Sequence, residues 1–252
     1  MPTPLRARAA AVLPRSHAPY SGAPSGVALG LASGRWLAAP RLESASFPLT
    51  VPALQGAWAL AAPEPDAVVA AASTRPFSPS ELAFLGEVTG QTWTLSAPDL
   101  AVSGRVPDWG DAVPLERDEP APGTHQDAVA AALDAARRAV VPVSGFPVGA
   151  VLVDVEGRWV TGVNVEHGPD WTRGLCAERT ALVAARAAGL GPIALVALAC
   201  PKAPGASPCG GCRQLIAEQA PDTVVAIGAG GGAPRLVTPA DLLPGAFSGR
   251  EL

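Results

Sequence analysis

The chain has 252 residues, enough for one large domain or two of medium size with a buried core and no disulfide staples. A net charge of -4, with no run of Lys or Arg, argues against a long polyanion such as nucleic acid as partner, and no apolar run approaches the roughly 18 residues of a membrane span. A composition rich in Ala, Val and Leu, with 27 Gly and 28 Pro, suits a compact α/β protein with tight turns, and a small neutral ligand suits its surface better than a charged polymer.

The first 22 residues carry Arg6, Arg8 and Arg15, and no acidic residue precedes Glu43. An organellar leader has that composition, but Leu5–Leu13 also reads as an ordinary Ala-rich first helix, and the expectation is a cytoplasmic protein. Residues 19–62 then align without a gap to residues 142–185, at an offset of 123 (142 minus 19). The matches include Pro19/Pro142, Ser21/Ser144, Gly22/Gly145, Pro24/Pro147 and Gly26/Gly149, a Gly-Arg-Trp turn at 34–36 and 157–159, and Glu43/Glu166. The same alignment sets Ala53 on Cys176, Gln55 on Glu178 and Arg41 on Asn164, and no cysteine precedes Cys176. The first copy therefore keeps a scaffold without the chemistry of the second. The expected division is a degenerate domain over 1–105, a solvated Asp/Glu/Pro/Gly-rich linker over 106–124 and a catalytic domain over 125–252.

In the second copy, Gln126–Ala139 reads as a helix, and Val148–Asp154 with Arg158–Asn164 as a strand pair turning at Glu156-Gly157. Cys176–Ala188 reads as a helix stopped by Gly189, Ile193–Cys200 as an apolar strand, Cys209–Gln219 as a helix and Thr223–Ile227 as a second apolar strand. The order αββαβαβ implies a mixed sheet whose crossover makes its flanking strands parallel, with both cysteine-bearing helices on one face. Gly228–Gly232 lacks the Lys-Ser/Thr of a phosphate-binding loop and reads as a flexible loop.

All four cysteines lie between 176 and 212, a clustering that points to metal and not to a disulfide framework. Cys209 and Cys212 stand three apart at the start of a helix announced by Ser207-Pro208, so both thiols point the same way and the free N–H groups favour thiolates. Cys176 opens the other helix, and the crossover can bring it alongside. Three thiolates on Zn2+ leave the fourth tetrahedral position for water, as in catalytic sites, and Glu178 is placed to move that water's proton. Three thiolates around a dication carry a net negative charge, and Arg179 with two helix N-termini supplies compensating positive potential. Cys-x-x-Cys alone is equally a redox pair or half of a closed structural site, for which His167 or Cys200 would have to serve as fourth ligand. Cys200 ends an apolar strand and reads as core.

Zinc deaminases carry His-x-Glu followed by Pro-Cys-x-x-Cys, and Cys176-Ala177-Glu178 with Pro208–Cys212 is the Cys-x-Glu variant. With Ser144–Ala150, Asn164-Val165-Glu166, Cys176–Thr180 and Pro208–Gln214 in order, the second half resembles cytidine deaminase. The first half, through Ser16–Ser21, Pro24–Leu29 and Pro52–Ala57, resembles the non-catalytic domain of the two-domain, dimeric cytidine deaminases of enteric bacteria, with the domain order exchanged. Leu243–Phe247 resembles the segment that closes their catalytic domain. Two departures stand out: Cys176 replaces the histidine of those dimers, and Val143 replaces the family's usual tyrosine.

The resemblance implies two related three-layer α/β/α domains, each a mixed sheet with helices on its faces, and a homodimer. It implies one Zn2+ per chain on Cys176, Cys209 and Cys212, with Glu178 as proton shuttle in hydrolytic deamination of free cytidine and deoxycytidine. It further implies ribose hydroxyls on Asn164 and Glu166, a pyrimidine packed on Phe146, the base O2 on the backbone N–H of Ala177, and the exocyclic amine on the carbonyl of Ser207. Deaminases of other small cytosine compounds such as blasticidin share the zinc motifs, but a ribose-reading Glu166 favours a nucleoside. A nucleic-acid editor would need a basic track that the acidic chain lacks, and a dead zinc scaffold would have no use for Glu178.

Overall fold

The computed structural model describes residues 4–228 and 232–249, so most of the glycine loop expected at 228–232 lies outside the described residues. The chain divides into two compact units, Met1–Leu42 with Val51–Pro114, and Glu43–Thr50 with Leu115–Leu252.

The first unit contains α1 (Pro4–Val12), β1 (Gly26–Leu31), β2 (Trp36–Pro40), α2 (Ala53–Ala61), β3 (Val68–Ser73), α3 (Pro79–Thr89), β4 (Thr94–Ala97) and β5 (Leu100–Val102). The second contains α4 (His125–Ala135), β6 (Gly149–Asp154), β7 (Trp159–Val163), α5 (Ala177–Ala188), β8 (Ile193–Ala199), α6 (Gly210–Gln219), β9 (Val224–Gly228), β10 (Arg235–Val237) and the short α7 (Pro239–Leu242).

The repeat seen in sequence extends through the helices that precede it. Gly26 of β1 has no room for a side chain, because a Cβ there would lie 2.4 Å from the carbonyl oxygen of Ala9 in α1. At the same offset of 123, a Cβ on Gly149 of β6 would lie 1.9 Å from the carbonyl oxygen of Ala132 in α4. Each glycine thus lets a helix backbone rest directly on its sheet. The turns recur as well: Gly34 and Gly157 take φ of 88° and 79°, a region that favours glycine, and each strand pair breaks register at the matched step, Gly30/Leu31 and Val153/Asp154.

Both sheets have five strands, in the orders β2-β1-β3-β5-β4 and β10-β9-β8-β6-β7. In the second, β8 and β9 run parallel across the α6 crossover while the other pairs are antiparallel. In the first, all four adjacent pairs are antiparallel, which corrects the expectation of a mixed sheet in each half. The physical reason is the hairpin after α3: β4 takes the outer edge and β5 returns between it and β3, so the parallel neighbour of the second sheet has no counterpart.

One face of the second sheet buries Val151, Val153, Trp159, Ala197, Ala199 and Ala226 against Ala128, Val129 and Ala132 of α4. The opposite face takes α5, with α6 beside it. The stretch 106–124, expected as a solvated linker, is docked on tryptophans that occupy matched places in the repeat. Trp36 Nε1 donates to Gly110 O at 2.9 Å in the first unit, and Trp159 Nε1 donates to Glu119 O at 2.7 Å in the second. A buried indole N–H needs an acceptor, and the passing backbone supplies it.

Asp154 closes the β6–β7 turn from inside. Its carboxylate accepts from the N–H groups of Glu156, Arg158 and Gly191 at 2.9–3.0 Å and pairs with Arg158 at 2.8 Å, with the side chain fully buried. Burial opposes ionisation, but those donors hold the carboxyl below its ordinary value of 3.8. Asp154→Asn is expected to cost about 1–3 kcal/mol in urea unfolding at pH 7, since the amide presents N–H to a donor-lined site. Because the folded-state value is depressed, wild type keeps its advantage above the ordinary carboxylate range and loses it as pH falls through that range. A stability difference that stays constant from pH 7 to pH 3 would contradict this.

Candidate metal and active site

Helices α5 and α6 bring their N-terminal ends to the carboxyl end of β8, because α5 runs antiparallel to β8 before it and α6 starts after it. Cys176 stands at the N-cap of α5 and Cys209 at that of α6, both in extended backbone. Cys212 lies one turn into α6, fully buried. The three Sγ atoms fall within 4.8 Å of one another, with Cys176 and Cys209 at 3.9 Å. Tetrahedral zinc with Zn–S bonds of about 2.3 Å needs sulfurs about 3.8 Å apart, so a small closure completes the site.

The electrostatics favour the same occupant. Cys209 is held far below the ordinary thiol range by the thiols of Cys176 and Cys212 and by the N–H groups of Cys212 and Gly211. Cys176 is pushed up to about 12 by its hydrogen bond with Cys209, and Cys212 is pushed up by Cys176 and Cys209. Close thiols oppose one another's ionisation, and a dication among them would let all three ionise together. Burial raises the Glu178 carboxyl while Arg179, which follows it on α5, acts to lower it, and the Arg179 Nε is buried with no hydrogen-bond partner among the described residues. Neither His167 nor Cys200 joins the three sulfurs, so among the described residues no closed four-ligand site forms. The residues fit zinc with an open position.

Cys176 and Cys209 open onto a cavity of about 550 Å³. Phe146, Asn164, Glu166, Ala177, Glu178, Ser207, Cys176 and Cys209 all line it; Cys212 and Arg179 are not among its lining residues. Glu178 is 4% exposed, and burial pushes its carboxyl up to about 7. Asn164 follows β7 and is pinned by two bonds: its Oδ1 accepts from Val148 N at 2.8 Å and its Nδ2 donates to Phe146 O at 2.9 Å. Glu166 accepts from the N–H groups of Val143 and Ser144 at 3.1 and 3.0 Å and from the Ser144 hydroxyl. Burial works against its ionisation, yet those donors keep the carboxyl below its ordinary value. Ser207 is held by Arg213, which donates to its hydroxyl at 2.7 Å and to Pro208 O at 2.8 Å.

Several participants escaped sequence reasoning. Trp171 lines the cavity while remaining 60% exposed, on a one-turn helix capped by Asp170. Cys200 is buried as a core residue would be, and it is also one of the residues lining the cavity. The segment Glu43–Thr50 lies in the first copy by sequence and in the second unit by packing. Trp171 sits five residues before Cys176 in a loop that begins at Glu166, and an exposed aromatic beside a metal motif was the available signal.

Gly162 of β7 fixes how closely α5 can approach. A Cβ there would lie 2.3 Å from Ala181 N and 2.5 Å from Ala177 O, both backbone atoms of α5. Gly162→Ala is therefore expected to displace the helix that carries Cys176 and Glu178, costing about 1–3 kcal/mol of stability and lowering zinc content as purified. Wild-type stability and full metal loading in that variant would show that the close approach is not required.

Comparison with known sequences follows this division. Residues 122–227 match a family model described as the cytidine and deoxycytidylate deaminase zinc-binding region, and residues 2–70 match a second model of the same description. The cytidine deaminase of Halalkalibacterium halodurans is 39% identical over 124 residues, covering 48% of this chain and 92% of the relative. That of Sporosarcina psychrophila is 38% identical over 125 residues, covering 49% and 91%. Among solved structures, the cytidine deaminase of Burkholderia pseudomallei shares 39% identity, with 49% of this chain and 99% of that chain covered and a TM-score of 0.46. Two matches in tandem to a region defined by metal binding, only the second of which has thiols to bind one, make this chain a two-copy member of the zinc-binding cytidine deaminase family.

Proposed function

We propose that the second unit hydrolyses free cytidine and deoxycytidine to uridine and deoxyuridine, releasing ammonia. The observation that carries this reading is the meeting, in one cavity, of two of the three clustered thiols, the buried Glu178 carboxylate, and the pinned pair Asn164 and Glu166. Zinc on Cys176, Cys209 and Cys212 would lower the pKa of a coordinated water from about 15.7 towards 7.

The chain's own residues do the rest. Glu178 takes a proton from the attacking water as oxygen adds to C4 and delivers it to N3 of the ring. The same carboxylate then carries the remaining hydroxyl proton to the exocyclic nitrogen, which leaves as ammonia while C4 becomes a carbonyl. Ala177, first residue of α5, offers its N–H to the base O2, and the carbonyl of Ser207 orients the amine. Phe146 packs against the ring, and Asn164 and Glu166 take the sugar hydroxyls. Arg179 offsets the net negative charge of three thiolates around the dication. No helix among the described residues is long and apolar enough to cross a membrane. A cytoplasmic homodimer acting on small nucleosides is part of the same reading.

Glu178→Gln is expected to retain zinc and lose at least about 10²-fold in ammonia release from cytidine, the share of catalysis general acid–base transfer supplies. Turnover within tenfold of wild type would remove Glu178 from the mechanism. Arg179→Ala is expected to lower kcat more than it lowers unfolding stability, and equal turnover by variant and wild type would refute its role. A zinc-loaded wild type that releases no ammonia from either nucleoside would overturn the proposal as a whole.

A further inference from the structure

The second unit contains eight residues that the sequence repeat assigns to the first copy. Glu43–Thr50 leaves the first unit after Leu42 and returns to it at Val51, where Leu42 and Val51 pair through both backbone bonds at 2.8 and 3.0 Å. Between these points the segment is built into α5 and α6. Ser44 Oγ donates to Glu218 Oε1 at 2.8 Å and Ala45 N donates to Glu218 Oε2 at 3.0 Å, so both oxygens of one α6 carboxylate are committed to it. Gln219 Nε2 donates to Glu43 O at 3.4 Å. Ser44 is 2% exposed and Ala45 8% exposed.

At its far end the segment reaches the metal centre. Arg179 Nη2 donates to Leu49 O at 3.0 Å, and the Arg179 charge acts on the neighbouring Glu178 carboxyl. The Leu49 side chain also covers Gly211, between the two α6 cysteines: a Cβ on Gly211 would lie 2.8 Å from Leu49 Cδ2. One residue therefore touches both the charge-compensating arginine of α5 and the Cys209-Gly210-Gly211-Cys212 turn of α6.

We infer that Glu43–Thr50 is a positioning element of the metal centre, with Leu49 fixing Arg179 through its carbonyl and the Cys209–Cys212 turn through its side chain, and Glu218 anchoring the segment to α6. The equivalent loop of the second copy, from Glu166 to Arg173, supplies Glu166 and Trp171 to the cavity wall. The repeat thus contributes two matched loops to one centre, one lining it and one bracing it from behind. Such a brace holds ligands and counter-charge in place without touching substrate, and outer partners of metal ligands typically govern how tightly the metal is kept.

The inference rests on the three cysteines being the zinc site, and its test keeps the two claims apart. Zinc release from the full-length protein to a chromogenic chelator would be timed for wild type, Leu49→Ala and Glu218→Gln, and the thiolate-to-metal absorption recorded after replacement of zinc by Co2+. Phe84→Leu serves as control, because it loosens the Trp58–Phe84 edge contact of the first unit, at 5.8 Å between centroids, and leaves the segment alone. Release about 10-fold faster in Leu49→Ala and in Glu218→Gln, with a shifted cobalt spectrum, and wild-type release in Phe84→Leu, is the expected result. Wild-type release and spectrum in both segment variants would overturn the inference, as would equally fast release from the control at a matched loss of thermal stability. A wild type that holds no zinc overturns the site reading itself.

Discussion

Three thiols within 4.8 Å of one another cannot all ionise unless a cation stands among them, and the second unit is arranged around meeting that condition. Cys176 and Cys209 stand at two helix N-termini, and the N–H groups of Gly211 and Cys212 in α6 favour the Cys209 thiolate. Burial holds the Glu178 carboxyl above its ordinary range, with the Arg179 charge working the other way. Without a cation the neighbouring thiols oppose one another's ionisation; with a dication among them the same groups could serve as a ligand set beside the cavity. The β8–α6–β9 crossover and the close approach of α5 at Gly162 exist in the fold as the means of holding those helix ends together.

The first copy shows what remains when that condition is lifted. Its helix packing glycine, its Gly-Arg-Trp turn and its register break stand at the positions of their counterparts, while Ala53 and Gln55 occupy the places of Cys176 and Glu178. Freed of a crossover that must present a second cysteine-bearing helix, the chain after α3 forms a hairpin and the sheet becomes wholly antiparallel in its adjacent pairs. Packing has been kept where backbones touch, and chemistry has been lost where side chains would have faced a ligand.

Much of this was legible in sequence. The repeat could be read because turn glycines and tryptophans are dictated by backbone geometry and indole burial, which leave residue-specific marks. The thiol cluster could be read because ligand spacing on a helix is local. What stayed hidden depends on contacts between distant segments. Nothing in Ser44, Ala45 and Leu49 announces that their partners are Glu218, Arg179 and Gly211, more than a hundred residues away. Nor does an acidic, Pro-rich stretch announce that its carbonyls will satisfy Trp36 and Trp159. The hairpin after α3 was missed because helix and strand patterns say which elements exist and not which edge a strand will take.

The central claim is that one of two related copies holds one catalytic zinc. Metal-free protein titrated with zinc while cytidine turnover is followed tests it most directly. Ammonia release is expected to rise linearly and stop at one zinc per chain, with Cys212→Ser neither binding the metal at that stoichiometry nor recovering activity. Saturation at two zinc ions per chain, or full turnover in the metal-free protein, would contradict it.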